Sequence, residues 1–135
     1  MIRVAIAILT ALAFAPPGAA AATCEGPNPA ITAARVTGVT NAGTVNVYHL
    51  SGTVTNLGGS RQPTNTLQHV AIYYAGDRLD SRSIPPLLVG QSFTFSYDWQ
   101  RALDAGPGTT TIEFRMNMRQ GVNCYPANGT NSVTF

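Results

Sequence analysis

The chain has 135 residues, of which 44% are hydrophobic and only 10% are charged. All eight basic residues are arginines, and one of them, Arg3, lies in an N-terminal segment that we expect to be removed. Seven arginines against six acidic residues then leave a net charge of +1. So small a charge excludes the basic surface with which proteins bind nucleic acid or anionic membranes. We therefore expect no nucleic-acid partner.

Residues 1–22 have the features of an export signal. Arg3 supplies the positive charge, Val4 to Phe14 form an apolar run of eleven residues, and Ala19 to Ala22 suit a signal peptidase. The apolar run is far shorter than the roughly 20 residues that cross a bilayer, so we predict cleavage and no transmembrane segment. The product is expected in the periplasm or outside the cell, as one domain spanning residues 23–135.

Two cysteines, Cys24 and Cys124, would enter this oxidising compartment together. We predict that they form one disulfide, the alternative being two free thiols. Lipidation of Cys24 is disfavoured because the preceding residue, Thr23, is β-branched, whereas a lipidated cysteine follows a small residue. With no further cysteine available for a Cys-x-x-Cys site, we expect no metal and no cofactor.

Alternating apolar and polar residues predict strands along the exported part. Fifteen threonines and only two glutamates in residues 23–135 favour strands over helices. The predicted strands are Ile31–Thr37, Thr44–Asn56, Gln68–Ala75, Leu79–Ile84, Ser92–Trp99, Thr110–Met118 and Thr130–Phe135. We expect the fourth and the seventh of these at sheet edges.

The inward faces of these strands are apolar. The expected inward residues are Tyr48, Leu50, Val54, Val70, Ile72, Tyr74, Phe93, Phe95, Tyr97, Trp99, Ile112, Phe114, Met116 and Met118. Seven short strands separated by turns are typical of an all-β, antiparallel, immunoglobulin-like sandwich. If successive strands alternate in direction, the start of the first strand shares one end with connections 57–67, 85–91 and 119–129. Cys24 and Cys124 then lie at the same end, as a disulfide requires.

Three stretches carry a family resemblance. Leu50-Ser-Gly-Thr-Val-Thr-Asn-Leu-Gly-Gly59 is a strand that ends in Asn-x-Gly, and Val70-Ala-Ile-Tyr-Tyr-Ala-Gly-Asp77 is the next strand with its turn. Leu88-Val-Gly-Gln-Ser-Phe-Thr-Phe-Ser-Tyr-Asp-Trp99 is a Leu-x-Gly turn that leads into an aromatic strand. With Asn128-Gly-Thr-Asn131, these stretches resemble the CARDB family (cell adhesion related domain found in bacteria) over roughly residues 31–135. The resemblance implies an exported sandwich of the adhesion type and no catalytic residues.

The loops at the end that carries the cysteines are the predicted binding surface, because such folds place recognition on loops held by a rigid sandwich. Arginine and tyrosine are also enriched among residues that dominate binding energy. The candidate binding residues are Arg61, Gln62, Arg119, Gln120, Asn123 and Tyr125. The alternative is addition of a partner strand to the exposed edge Leu79–Ile84.

The histidines and aspartates of the sequence do not form a recognisable metal-binding motif. His49 and His69 are predicted to face solvent, and no third ligand accompanies them. Asp77 and Asp80 flank a turn and an edge strand, where they could suggest a calcium site. Calcium takes six to eight oxygen ligands, usually from several carboxylates that lie close together. Asp77 is better interpreted as a turn former.

The remaining motifs also have plainer interpretations. Gly58-Gly59-Ser60 beside Arg61 could cradle an anion, but no helix follows it. Tyr73 faces outward, where cross-strand packing is favoured over stacking on a sugar, and Trp99 is interpreted as core. No Gly-x-Ser-x-Gly motif marks a hydrolase nucleophile.

We therefore expect a small exported binding or adhesion-type domain that catalyses nothing. Its partner would be a protein or a surface glycan, and the domain itself a monomer or a weak oligomer. Two alternatives remain from the sequence. One is a secreted accessory or inhibitor of another exported protein, and the other is a small hydrolase or metal-dependent enzyme.

Overall fold

The computed structural model describes residues 24–118 and 129–135. The predicted export signal lies outside the described residues, as do Cys124, Arg119, Gln120, Asn123 and Tyr125.

Seven strands form two antiparallel sheets, which confirms the predicted all-β sandwich. The strands are β1 (Pro29–Asn41), β2 (Val45–Asn56), β3 (Gln68–Tyr74), β4 (Asp77–Ile84), β5 (Ser92–Ala102), β6 (Thr111–Met118) and β7 (Thr130–Thr134). One sheet has the order β1-β2-β5 and the other the order β4-β3-β6-β7. The fourth and seventh strands therefore lie at edges, as predicted. The described residues contain no α-helix.

β1 is longer than the strand predicted at Ile31–Thr37. The alternating pattern does not show its full length, because two bulges interrupt the strand. The register with β2 shifts between Ile31 and Ala33 and again between Val36 and Gly38. Each extra residue in a bulge reverses which of the following side chains face the core. An unbroken alternation is therefore visible over only part of the strand.

The core lies between the two sheets and contains most of the predicted inward residues. Phe95 is 5% exposed, and its ring meets that of Phe114 edge to face, with the centroids 5.1 Å apart. Val70 and Ile72 are fully buried, as predicted. Tyr74 was also expected to face inward, but it is 40% exposed, because it is the last residue of β3 and lies at the end of the sandwich.

The connections alternate between two ends of the sandwich. We call the end formed by segments 24–28, 57–67 and 85–91 the loop pole, and the end formed by loops 42–44, 75–76 and 103–110 the far pole. The backbone joins the three segments of the loop pole directly. Leu57 N donates to Asn28 O (2.8 Å), and Gln62 N donates to Leu87 O (2.9 Å). Strand parity therefore predicted correctly which described segments meet.

Cys24 lies at the loop pole, where its carbonyl oxygen accepts a hydrogen bond from Gly59 N (2.8 Å). Among the described residues no cysteine is free, but Cys124 lies outside them, so the disulfide stays a prediction.

Reduction of the predicted Cys24–Cys124 disulfide should lower the thermal midpoint, because the cross-link restricts the unfolded chain more than the folded one. Thiol labelling of the unreduced, unfolded protein checks the pairing, and reaction at both cysteines would contradict it.

Candidate functional site at the loop pole

One buried amide side chain joins the three segments of the loop pole. Asn56, the last residue of β2, is only 1% exposed. Its Oδ1 accepts hydrogen bonds from the backbone N–H groups of Asn28 (2.9 Å) and Gly58 (3.0 Å). Its Nδ2 donates to the carbonyl oxygens of Ser60 (2.9 Å) and Leu87 (3.2 Å). The amide thus uses both donor hydrogens and both acceptor positions, and it ties the loops to the N-terminal segment.

Two further buried amides hold the second and third segments together. Gln62 and Gln68, 4% and 5% exposed, bond to each other reciprocally through Nε2 and Oε1, at 2.8 Å in both directions. Gln62 Oε1 also accepts from Leu87 N (2.9 Å), and Gln68 Nε2 donates to Pro85 O (2.9 Å). We call Asn56, Gln62 and Gln68 the amide frame. Since buried polar groups lose free energy when they are left unpaired, this frame fixes the geometry of the pole.

Gly58 lets the second segment pass directly against the first. A Cβ atom at this position would lie 2.0 Å from the carbonyl oxygen of Gly26 and 2.6 Å from the backbone nitrogen of Asn28. Both neighbours are backbone atoms, so they cannot move aside as a flexible side chain would.

Replacement of Gly58 by alanine should therefore lower the free energy of unfolding by about 2–3 kcal/mol, within the range of overpacked sites. For a domain of this size, the thermal midpoint should fall by roughly 8–15 °C, measured by circular dichroism. Gly26→Ala is the matched control, because a Cβ there would have no atom within 4 Å. Equal midpoints for the two variants would show that the segments do not pass as closely as described.

Four large aliphatic side chains are exposed on the loops above the amide frame. The exposed fractions are 54% for Leu57, 64% for Leu67, 57% for Leu88 and 56% for Val89. Single exposed aliphatic residues are common on protein surfaces. Four of them on two loops that hydrogen-bond to each other concentrate apolar exposure at the loop pole, and apolar exposure of this kind is a feature of interaction sites.

A groove that includes Leu67 lies between the second and third segments of the pole. It has a volume of about 740 Å³, and its apolar lining consists of Leu67, Ile84, Pro85, Pro86 and Phe93. Thr64, His69 and Ser83 add polar groups. The volume lies within the range of roughly 300–1,000 Å³ that is usual for ligand sites.

The structure divides the candidate residues predicted from the sequence. Arg61 is exposed at the loop pole, where a partner could contact it. Gln62 was expected on the binding surface, but its side chain is buried in the amide frame, because it bonds Gln68 and Leu87. The other four candidates lie outside the described residues.

The exposed aliphatic residues were not among the sequence-based candidates. The sequence signal for two of them, Leu88 and Val89, is the run Leu87-Leu88-Val89, three apolar residues after Pro85-Pro86 and outside any alternating strand. Leu57 and Leu67 have no such signal. Leu87 is buried whereas its two successors are exposed.

The glycines of the loop do not form an anion site. Gly58 N donates to Asn56 Oδ1 (3.0 Å), Gly59 N donates to Cys24 O (2.8 Å), and the Ser60 hydroxyl donates to Glu25 O. These donors hold the pole together, so they are not directed at a ligand.

Charged side chains lie on β4, the edge strand of the four-stranded sheet, and one of them reaches β5, an edge strand of the other sheet. Arg82 Nη1 donates to Asp80 Oδ2 (2.6 Å), while Arg82 Nε donates to Ser96 O (3.0 Å) on the neighbouring sheet. The Arg82 guanidinium, helped by the Ser81 N–H, holds the pKa of the Asp80 carboxyl below its usual value. Asp80 is therefore engaged with Arg82. Charges of this kind protect an edge against the addition of a foreign strand.

His49 lies on the outer face of the three-stranded sheet, between Asp98 and Thr40. Its Nδ1 is 2.8 Å from Asp98 Oδ1, and its Nε2 is 2.8 Å from Thr40 Oγ1. The order of carboxylate, imidazole and hydroxyl is that of a hydrolase triad. However, the His49 and Asp98 side chains are 39% and 60% exposed, so the row lacks the water-excluding surroundings in which a triad stabilises its transition state. The three side chains form a cross-strand row of hydrogen bonds.

Tyr73 packs across strands on the outer face of the other sheet. The Arg115 guanidinium lies 4.2 Å from the centre of its ring and also pairs with Glu113. This contact agrees with the cross-strand interpretation of Tyr73. Within residues 24–118 and 129–135, no three His, Cys, Asp or Glu side chains form a group that could hold a metal ion. Nor is any helix there long and apolar enough to cross a membrane.

Two solved structures share the fold of this chain. A CARDB domain from Pyrococcus furiosus, solved in complex with di-metal ions, has 16% identity and a TM-score of 0.62, over 90% of this chain and 97% of that one. A cell surface protein domain from Methanosarcina acetivorans has 16% identity and a TM-score of 0.53, over 80% and 89% of the two chains. The chain therefore has a CARDB-like fold. No family model and no curated protein matches its sequence.

Proposed function

We propose that this chain is a small exported binding module of the adhesion type, whose loop pole contacts a protein partner. The observation that carries this proposal is the exposure of Leu57, Leu67, Leu88 and Val89 on loops that the buried amide frame holds in place.

The chemistry of the pole favours a protein over a glycan there. Loops 57–67 and 85–91 contain one charged residue, Arg61, and their exposed large side chains are aliphatic. Aliphatic groups gain free energy by leaving water, at about 25 cal/mol for each Å² buried. A sugar ring presents its apolar C–H face mainly to aromatic rings, and loops 57–67 and 85–91 contain no aromatic residue. A protein partner can instead bury an apolar patch against these aliphatic side chains.

The rigidity of the pole also supports binding at this site. A flexible loop loses conformational entropy when a partner orders it. Here the hydrogen bonds of Asn56, Gln62 and Gln68 already fix the loops, so less ordering remains. At the alternative site, the β4 edge, the Asp80–Arg82 pair disfavours strand addition.

The names of the structural neighbours support the adhesion type and the exported location. One neighbour is a CARDB domain and the other belongs to a cell surface protein. The sequence adds the predicted export signal of residues 1–22. We assign the domain no catalytic role, since the His49 row lacks the surroundings that a triad needs.

Affinity capture tests the proposal. Immobilised domain 23–135 is exposed to the periplasmic and extracellular fractions of the native cells, in parallel with a Leu88→Ser/Val89→Ser variant. We expect a protein that the unmodified domain retains and the variant releases. Capture of an enzyme whose activity falls when the domain binds would identify this domain as an inhibitor of that enzyme. The proposal would be contradicted if both baits retained the same protein equally, or if neither bait retained any protein.

A further inference from the structure

A second cavity opens at the far pole, on the opposite end of the sandwich from the proposed protein site. It has a volume of about 330 Å³ and lies between the end of β3, the end of β5 and loop 103–110. Tyr74, Trp99, Arg101, Pro107, Gly108 and Thr109 are among the residues that line it. Its volume suits one small ring, as it lies at the lower end of the roughly 300–1,000 Å³ usual for ligand sites.

Two aromatic rings form one side of this cavity. Tyr74 and Trp99 come from different sheets, and their ring centres are 4.7 Å apart with an angle of 46° between the planes. Tyr74 keeps 40% of its surface exposed although its strand neighbour Ile72 is fully buried. An apolar ring surface is thus accessible at the mouth of the sandwich.

The loop that lines this cavity is held in place before any ligand arrives. Arg101 Nη2 donates to Gly106 O (2.8 Å), and its Nη1 donates to Gly108 O (2.9 Å). Both glycines have positive φ angles, 78° and 144°, which glycine adopts without strain. The backbone of Thr110 pairs with that of Phe135 in both directions (2.8 and 3.0 Å), which fixes the end of the loop.

The polar groups of the cavity point to a neutral ligand. Arg101 is the one charged residue among the described residues that line it, and its guanidinium is already bonded to two carbonyl oxygens. No carboxylate lines the cavity in the part of the chain that the structure describes, so a cation has no partner there. The indole Nε1 of Trp99 is buried and has no hydrogen-bond partner among the described residues. A buried Trp N–H ordinarily has one.

We infer that the far-pole cavity binds a single neutral sugar ring of a glycan. The C–H face of a pyranose is apolar and stacks on an aromatic ring, while its hydroxyls pair with donors and acceptors at the rim. The aromatic rings of Tyr74 and Trp99 and the threonine side chains of Thr109 and Thr110, all of which line the cavity, supply both kinds of contact.

Intrinsic fluorescence gives a direct test, because Trp99 is the only tryptophan of the chain. The folded protein is titrated with glucose, galactose, mannose and N-acetylglucosamine. At least one of them should shift the emission of Trp99 with a Kd of roughly 1–10 mM, the range expected for so small a ligand. Glucuronate, which has the same ring with a negative charge, should bind no more tightly than glucose.

Substitutions at Tyr74 test the stacking. Tyr74→Phe should keep the affinity and Tyr74→Leu should lower it at least tenfold, because leucine keeps apolar volume but has no ring. Tyr73→Leu is the matched control, since the neighbouring ring faces Arg115 on the outer surface. The inference is wrong if no neutral sugar changes the emission, if only glucuronate does, or if the Tyr73 and Tyr74 variants lose affinity equally. The loop-pole variant Leu88→Ser/Val89→Ser should bind sugar normally, which separates this site from the proposed protein site.

Discussion

Replacement of Phe95 by alanine should lower the free energy of unfolding by about 3–5 kcal/mol, as expected for a large buried aromatic side chain that leaves a cavity. Phe95 is 5% exposed, and its ring contacts Phe114 edge to face. The ring also covers Gly52 on the neighbouring strand, where a Cβ atom would lie 2.1 Å from it. Its removal would therefore open a cavity that reaches both sheets.

Urea denaturation followed by circular dichroism measures this loss. Thr94→Ala, one residue earlier on the outer face of β5, is the control. The Thr94 hydroxyl lies 3.3 Å from that of Thr53 on the exposed surface, so its loss should change the stability by less than about 1 kcal/mol. Equal losses for the two variants would show that the register of β5 is wrong.

Replacement of Asn56 by alanine should have an effect of similar size, about 3–5 kcal/mol, since each buried polar group left unpaired costs about 1–3 kcal/mol. Four hydrogen bonds disappear at a position that is 1% exposed. The groups left behind are the backbone N–H groups of Asn28 and Gly58 and the carbonyl oxygens of Ser60 and Leu87. The same change should loosen the loop pole, so hydrogen exchange at Gly58 should accelerate.

Asn46→Ala provides the matched control on the same strand. Asn46 accepts one exposed hydrogen bond, from Asn41 Nδ2 (3.2 Å), so its replacement should change the stability by less than about 1 kcal/mol. If Asn56→Ala were as stable as Asn46→Ala, the amide frame would not be what holds the pole together.

The strands could be predicted from the sequence because one face of each is buried and the other is not. In β5, Phe93, Phe95, Tyr97 and Trp99 alternate with polar residues, and each of these aromatic side chains packs against the core or forms part of it. The bulges of β1 could not be predicted in this way, since they depend on the pairing of Val36 and Gly38 with β2. Alternation in one strand carries no information on that pairing.

The loop pole was predictable in its location but not in its chemistry. Strand parity placed segments 57–67 and 85–91 together, whereas the burial of Gln62 depends on Gln68 and Leu87, which are 6 and 25 residues away in the sequence. A glutamine in a loop is ordinarily exposed. For the same reason the sequence could not show that Leu87 is buried while Leu88 is exposed, because the backbone of Leu87 is positioned by hydrogen bonds to Asn56 and Gln62, which are distant in the sequence.

Calorimetric titration of the captured partner tests the central claim, that binding takes place at the loop pole. Leu88→Ser/Val89→Ser should weaken the affinity at least tenfold, roughly 1.4 kcal/mol. Two controls should leave it unchanged. Val39→Ser removes an aliphatic side chain that is 52% exposed on β1. Ser81→Pro removes an N–H that bonds its neighbour Asp80 on the β4 edge. Full affinity in the loop-pole variant together with a loss in Ser81→Pro would contradict the account and place binding at the edge.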